Sequence, residues 1–399
     1  RWNSSYYYHL RTYSNLHQKN RTKKRFFLHI SKKKCIFAPK YITIMDNLKF
    51  IPFSDIDLSD TFFDSLRANY EGFDAWFQSK ATSGAKALVY YENSTLLDFL
   101  YLKDEDEELQ LDNISLPKRK RLKVGTFKIE RRGTNRGERF IKRILDIAIQ
   151  YTFPEVYVTM FDDTDELVHL RHFFERYGFV EVGRKSHNNG RSEAVLLRDM
   201  TAYKNNIIQD YPLINRTQGN KYLLAIKPQY HTKLFPDSIL KNEHYNCLQD
   251  VGPTNSINKI YICWMEDTRQ LRQGDNVIIY RTSDYQGPAA YRSVATSVCT
   301  VVETKTIDDF QNADEFVRYA NKYSVFTENN LRESYNNRSN FIVIKMLYNL
   351  AFQKKVIRKD LIDYAGLSSD ERWGIIPLSD AQFNQILTLG YADGRYFIN

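Results

Sequence analysis

With 399 residues, 42% of them hydrophobic and 26% charged, the chain is long enough for two ordinary domains, and no apolar run approaches the roughly 20 residues that cross a bilayer as a helix. Its four cysteines, Cys35, Cys247, Cys263 and Cys299, form no CxxC pair and have no histidine at ligand spacing, which argues against a metal site or disulfide framework and for free thiols in a soluble, cytosolic protein. The net charge of +9 does not license a nucleic-acid reading, because residues 1–44 hold eleven Lys/Arg and no acid, while residues 45–399 carry 46 basic against 48 acidic side chains, net −2.

Residues 1–44 show neither helical nor strand periodicity. A basic arm, an organellar presequence or translated sequence upstream of Met45 would each account for them, and the last is the simplest, so the fold is expected to begin at Met45. Residues 48–53 ("LKFIPF") have the composition of a short strand. Between 57 and 70, Phe62, Phe63, Leu66 and Tyr70 share a helical face after a candidate cap at Ser59, and 73–81 is a second short helix closed by Ser83-Gly84. "KALVYYEN" and "LLDFLYLKDE" read as two strands joined around "NST". The acidic run 104–108 and the basic "PKRKR" at 117–121 read as a solvated loop. Residues 121–130 alternate through Leu122, Val124, Phe127 and Ile129, with Gly125-Thr126 as a place for a bulge. Phe140, Ile141, Ile144, Leu145 and Ala148 form one face of a helix ending near Tyr151. A strand at 155–161, a helix at 166–178 stopped by Gly178, and the strands "FVEVGRK" and "SEAVLLRDM" complete this half.

Between the strand at 121–130 and the following helix lies "RRGTNRGERF". Pyrophosphate needs closely approaching backbone N–H groups, and Gly133 and Gly137 would clear side chains from its path. Asn135 is the non-glycine residue that best tolerates φ > 0, and Arg132 and Arg136 could add charge-assisted bonds. A surface turn with solvated arginines is the competing account.

The order β-α-α-β-β-β-α-β-α-β-β and these residues resemble the GNAT acetyltransferase superfamily. Its cofactor motif, Arg/Gln-Gly-x-Gly-x-Gly/Ala, is matched by Arg132-Gly133-Thr134-Asn135-Arg136-Gly137, with Asn135 replacing the middle glycine. A later signature is matched by Phe173-Phe174-Glu175-Arg176-Tyr177-Gly178-Phe179. The resemblance covers about residues 48–200. It implies an α/β fold with a mixed central sheet and flanking helices. It further implies acetyl-CoA held by residues 132–138, Glu138 included, and by the backbone of a splayed strand at Phe127, Lys128 and Ile129. For catalysis, Glu130 is the base candidate, with pairing to Arg131 or Arg132 as its other account. The family's usual acid tyrosine is replaced by Phe174; Tyr177, one helical turn on, is the nearest phenol and equally suits the core, which leaves water or proximity alone.

A polar connector at 203–220 separates residues 45–202 from a second domain at 221–399. Its strand-like segments are 221–228, 259–265, 276–283, 291–305 and 341–350, with a helical insert at 308–323 and two short helices around "RWGIIPL" near the end. Short strands at this spacing suggest a small β-barrel. The run from Gly274 to Thr282 and the following "RSVATSVCTVVE" resemble the PUA-like group, with its EVE and ASCH branches, which implies RNA or a modified nucleotide as ligand. Tyr230, His231, Trp264, Tyr280, Arg281 and Arg292 are the candidate ligand groups, each equally suited to filling a core. The combined reading is an acetyl-CoA-dependent N-acetyltransferase fused to a PUA-like domain. Its acceptor would be tRNA, aminoacyl-tRNA or a protein of translation, in a toxin-like role among others. The alternative is a non-catalytic nucleic-acid-binding module on a degenerate acetyltransferase fold. Residues 118–143 hold twelve Lys/Arg against Glu130 and Glu138, and Lys118 to Arg121 are expected to draw in an RNA backbone if RNA is the acceptor.

Overall fold

The computed structural model describes residues 48–130, 135–240, 252–338 and 340–398. The expectations for residues 1–44 and for Arg132, Gly133 and Thr134 lie outside the described residues. The first sheet is built from β1 (Leu48–Pro52), β2 (Lys86–Glu92), β3 (Thr95–Gln110), β4 (Ser115–Ile129), β5 (Glu155–Met160), β6 (Val180–Ser186) and β7 (Ser192–Asp199). Their order is β1-β2-β3-β4-β5-β7-β6, antiparallel throughout except for the parallel pair β4–β5.

Strand periodicity of two sorts this sheet's side chains onto two cores. Val89, Phe99 and Tyr101 face α1 (Asp64–Asn69) and α2 (Phe73–Thr82), packing with Phe53, Phe63 and Phe77. Leu88, Leu100, Leu122 and Val124 face the other way. There they meet Phe140, Ile141, Ile144 and Leu145 of α3 (Arg136–Gln150) and Phe174 of α4 (Asp165–Arg176). Each such side chain stabilises by roughly 1.5–3 kcal/mol on full burial. Gly178 stops α4 with φ +86°, and a Cβ there would lie 2.4 Å from the Gln209 carbonyl oxygen.

Two local expectations change. The cap is Asp60, at the head of the 3-10 turn Thr61–Phe63 that leads into α1; its carboxylate accepts from the Phe62 amide at 2.8 Å, whereas the Ser59 hydroxyl donates to Asp57. The acidic and basic runs are not a loop. They are the outer halves of β3 and β4, with Glu105 opposite Arg121, Asp106 opposite Lys120 and Glu107 opposite Arg119. Opposite charges facing across an antiparallel ladder stabilise it, so a pattern that reads as solvated in one dimension pairs in two. The bulge falls where expected, with Gly125 between the pairs Val124–Leu102 and Thr126–Tyr101. A Cβ on Gly125 would stand 2.7 Å from the Tyr101 ring, so the close approach requires glycine.

The connector packs rather than tethers: Tyr211 and Asp210 are buried, and the Tyr211 hydroxyl donates to the Tyr348 carbonyl at 2.9 Å. It carries β8 (Ile214–Asn215), which pairs in parallel with β15 (Phe397–Ile398). The second sheet contains β9 (Lys221–Ile226), β10 (Asn258–Cys263), β11 (Asn276–Arg281), β12 (Val294–Thr306), β13 (Ile342–Ile357) and β14 (Ile375–Leu378), in the order β10-β13-β12-β11-β9-β14. Around it lie α5 (Pro228–Leu234), α6 (Gly252–Asn255), α7 (Ala289–Arg292), α8 (Ala313–Ala320), α9 (Glu328–Asn336), α10 (Arg358–Asp363) and α11 (Asp380–Leu389).

No ladder joins β10 to β14 among the described residues, so the expected barrel is an open six-stranded sheet. The reason lies in the strands themselves. A small barrel needs alternating inner and outer faces, but every residue of β9 and of β11 is buried. Leu223, Ala225 and Ile278 pack on one side with Leu361, Phe383 and Ile386, while Tyr222, Leu224 and Val277 pack on the other with Leu234, Phe235 and Tyr348. Both faces are covered, as in a layered domain.

Candidate functional site

The parallel pair β4–β5 is short. It runs from Arg121–Glu155 to Val124–Val158, after which β4 continues to Ile129 and β5 to Met160 without further pairing. The Gly125 bulge sits at the point of divergence, so a gap opens at the carboxyl ends of two parallel strands. Phe127 forms its floor, with ring centroids 5.5 Å from Phe140 and 5.3 Å from Phe174. Of the three residues expected on this edge, Lys128 sends its ammonium away, to the Phe62 carbonyl, the Ser65 hydroxyl and, at 2.8 Å, the Glu130 carboxylate. Lys128 therefore offers the gap its backbone and not its side chain.

Beyond β4 the chain enters α3 through Asn135, in the left-handed region at φ 56° and ψ 15°. The asparagine takes the conformation its position demands, and its side-chain amide donates to the Lys322 carbonyl at 2.9 Å. The first amides of α3 have no partner within the helix, and the helix contributes its positive end there. Gly137 is tightly placed, since a Cβ would lie 3.2 Å from the Phe173 ring.

Two side chains expected to hold the cofactor are engaged elsewhere. Arg136 is 1% exposed, paired with Asp98 at 2.9 Å and stacked 4.8 Å over the Tyr90 ring. A carboxylate buried on β3 has to be neutralised, and Arg136 does this instead of facing a phosphate. Glu138 is 3% exposed and accepts from the amides of Ile257 (2.7 Å) and Asn258 (3.1 Å), the Asn258 side chain (3.3 Å) and the Tyr323 hydroxyl (3.0 Å). Four donors from the C-terminal half thus converge on one carboxylate in the first turn of α3. Further along the same joint, burial pushes the Asp237 carboxyl up, but Arg143 at 3.3 Å, Lys142, Arg139 and Lys259 outweigh it and hold it below the usual range. Burial pushes the Lys259 ammonium down to about 7, although it donates to the Pro253 carbonyl at 2.7 Å.

The catalytic candidates separate clearly. Glu130 is accessible, with 44% of its side chain exposed at the open end of β4, and among the described residues it pairs with Lys128, while the expected pairing with Arg131 or Arg132 lies outside them. Tyr177 is fully buried against Phe173 and Tyr211, and burial, then Glu138 and Tyr323, hold its phenol well above the ordinary range. It belongs to the core, as does Phe174, and cannot deliver a proton to the gap.

Sequence reasoning missed a cluster at the same sheet end. Phe161, just past β5, meets Tyr70 at 5.2 Å, His187 at 5.5 Å and the Arg191 guanidinium at 3.7 Å. His187 Nε2 lies 3.0 Å from the Glu193 carboxylate, and burial, then Glu193, pushes the Tyr70 phenol up to about 12. The available signal was a histidine and a glutamate flanking the Asn188-Asn189-Gly190 turn, which the β6–β7 hairpin brings together.

In the second sheet, the structure joins His231 and Arg281 but not the other candidates. His231 is fully buried, 2.9 Å from the Thr296 hydroxyl, and burial, then Arg281 and Lys355, holds it neutral. Arg281 is buried at the end of β11. Tyr280 points to the opposite face, 4.9 Å from Trp373. Arg292 pairs with Asp284, Tyr230 rests 5.2 Å from Phe326, and Trp264 stands 53% exposed at the end of β10. As ligand groups, the buried Tyr280, Arg281 and His231 lack access, because they fill the sheet's own cores.

No family model matches the chain, and no curated protein matches it. Among solved structures it is similar to Ard1 from Thermoplasma volcanium, at 13% identity, covering 38% of this chain and 95% of that one with a TM-score of 0.30. An acetyltransferase from Bacillus subtilis in complex with CoA is similar at 10% identity, over 38% and 97% of the two chains, with a TM-score of 0.28. The ZmASCH protein from Zymomonas mobilis is similar at 6% identity, over 43% and 96%, also with a TM-score of 0.28.

Proposed function

We propose that residues 48–200 form an acetyl-CoA-dependent N-acetyltransferase. One observation carries the reading: the gap between β4 and β5 opens beside Asn135, whose positive φ turns the chain into the fifteen-residue helix α3. An unpaired strand edge offers amide donors and acceptors to an extended, amide-bearing chain, and the helix end beyond it suits a pyrophosphate. Acetyl-CoA fits both features, and it supplies an acetyl group already activated as a thioester. The chain's own part is to bind and to place. Amides of β4 between Phe127 and Ile129 would receive the negative charge that develops on the carbonyl oxygen, and the rings of Phe127 and Phe173 would keep water out. An attacking amine must shed its proton, and Glu130 and His187 are accessible groups at this end able to take it.

The acceptor is better read as an amine on a protein or small molecule than as RNA. Lys118 to Arg121 are already engaged: Arg119 and Arg121 each meet Glu155 at 2.6 Å, Lys118 lies 3.9 Å from Asp106, and Lys120 sits over the Phe153 ring. The segment flanking the gap through Ser65 and Tyr70 carries Asp55, Asp57, Asp60, Asp64, Glu71 and Asp74 against Arg67 alone, which favours a cationic acceptor.

Incubating the chain with labelled acetyl-CoA and, separately, total protein and total RNA tests the reading. Label should appear in the protein fraction and vanish with Gly137→Asp, which puts a side chain against Phe173 and a negative charge at the helix end. Undiminished CoA affinity in a folded G137D chain would remove the cofactor assignment, and label in RNA would overturn the acceptor.

A further inference from the structure

A groove of about 850 Å³ lies in the C-terminal half, walled by α8, the turn after it and the start of α9, with Lys233 and Pro253 also lining it. Its floor is apolar, from Val317, Val325 and Phe326. Its two carboxylates are both held by one residue, since Arg332 pairs with Asp314 at 2.5 Å and Glu328 at 2.9 Å. Among the described residues Lys233, Arg318 and Lys322 have no carboxylate partner, and the three cations line a cleft with an aromatic ring in its wall.

Three hydrogen bonds fix this groove beside the first turns of α3. Lys322 accepts from Asn135 through its carbonyl, Tyr323 donates to Glu138, and Asn255, two residues past Pro253, accepts from Arg139 at 3.2 Å. We propose that the groove seats the 3′-phosphoadenosine end of CoA, with the 3′-phosphate on Lys322, Arg318 and Lys233 and the adenine against Phe326. This rests on the acetyl-CoA reading above and deepens it: the Asn135–Lys322 contact sets the groove's rim against the start of α3, where the pyrophosphate would lie. Like charges crowded in one cleft repel one another, and a phosphate dianion relieves that repulsion while accepting charge-assisted bonds. The C-terminal half would then be part of the cofactor site.

Calorimetric titration of the full chain with CoA and with dephospho-CoA, which lacks only the 3′-phosphate, tests this. A charge-assisted contact in an open groove should favour CoA by about tenfold, with the preference shrinking as salt rises. Lys322→Ala combined with Arg318→Ala, which leaves only Lys233 for the 3′-phosphate, should shrink that preference to about twofold without changing the affinity for dephospho-CoA. Both side chains are exposed, so folding should be unaffected. Equal binding of the two ligands by the parent chain, or an undiminished preference in the double variant, overturns the inference alone. Binding of neither ligand overturns the acetyl-CoA reading and this inference together.

Discussion

Glu138→Ala would strip the acceptor from the Ile257 and Asn258 amides, the Asn258 side chain and the Tyr323 hydroxyl at once. Each buried donor left unsatisfied costs about 1–3 kcal/mol, and breaking a buried charged contact costs about 3–5. We expect urea denaturation to show a loss of about 3–5 kcal/mol for E138A but only about 1 kcal/mol for Tyr323→Phe, which removes a donor and leaves the acceptor served. Equal effects would mean that the carboxylate is not the organising group. At this scale the sequence was legible where backbone decided the outcome, as with Asn135, Gly125 and Gly178. It was illegible where a distant partner decided it. Nothing near Arg136 reveals that it pairs with the buried Asp98 on β3, and nothing near Glu138 announces the amides of Ile257 and Asn258.

The β3–β4 hairpin shows how the charged runs divide their work. Arg121 is buried, donates to Glu155 at 2.6 Å and reaches the carbonyls of Glu107 and Pro117, whereas Lys118 is largely exposed and 3.9 Å from Asp106. Arg121→Ser should therefore cost about 3 kcal/mol, as removal of one partner from a buried pair does, and Lys118→Ser under about 0.5 kcal/mol. Thermal melts of the two variants check this directly, and a stable R121S chain would restore these residues as candidates for a free phosphate grip. Elements with one clean period, such as α3, α4 and β5 to β7, emerged from the sequence nearly to their ends. Those that failed had mixed signals. The like-charged runs needed a facing strand to make sense, and Pro228, expected as the last residue of a strand at 221–228, instead opens α5 two residues after the buried β9 ends.

For the molecule as a whole, the joint between α3 and the second sheet is polar, buried and sensitive to pH. Folded Lys259 loses its proton near 7, far below an unfolded lysine at roughly 10.4, so between those values the unfolded chain binds the additional proton. Its burial cost is fully present below about pH 7 and fades as pH rises. Relative to Lys259→Met, the parent chain should gain up to about 1.4 kcal/mol per pH unit across that window, measured by urea melts at several pH values. Parallel pH profiles for the two chains would show that the amine is not buried as a charge. The passage from the first sheet to the second was legible as a change of pattern near residue 200, but the joint was not, because polar residues on α3 read as a solvated face.

Asn135 has a consequence for how a departure from a sequence pattern is valued. A glycine there would turn the chain more cheaply, and its replacement reads as decay toward an inactive fold. Yet the same side chain is a hook: its amide holds the Lys322 carbonyl and so fastens the start of α3 to the turn after α8. Restoring the pattern with Asn135→Gly should then weaken CoA binding severalfold, seen by calorimetry, despite relaxing the backbone. What looks like a worn part is the rivet between two plates.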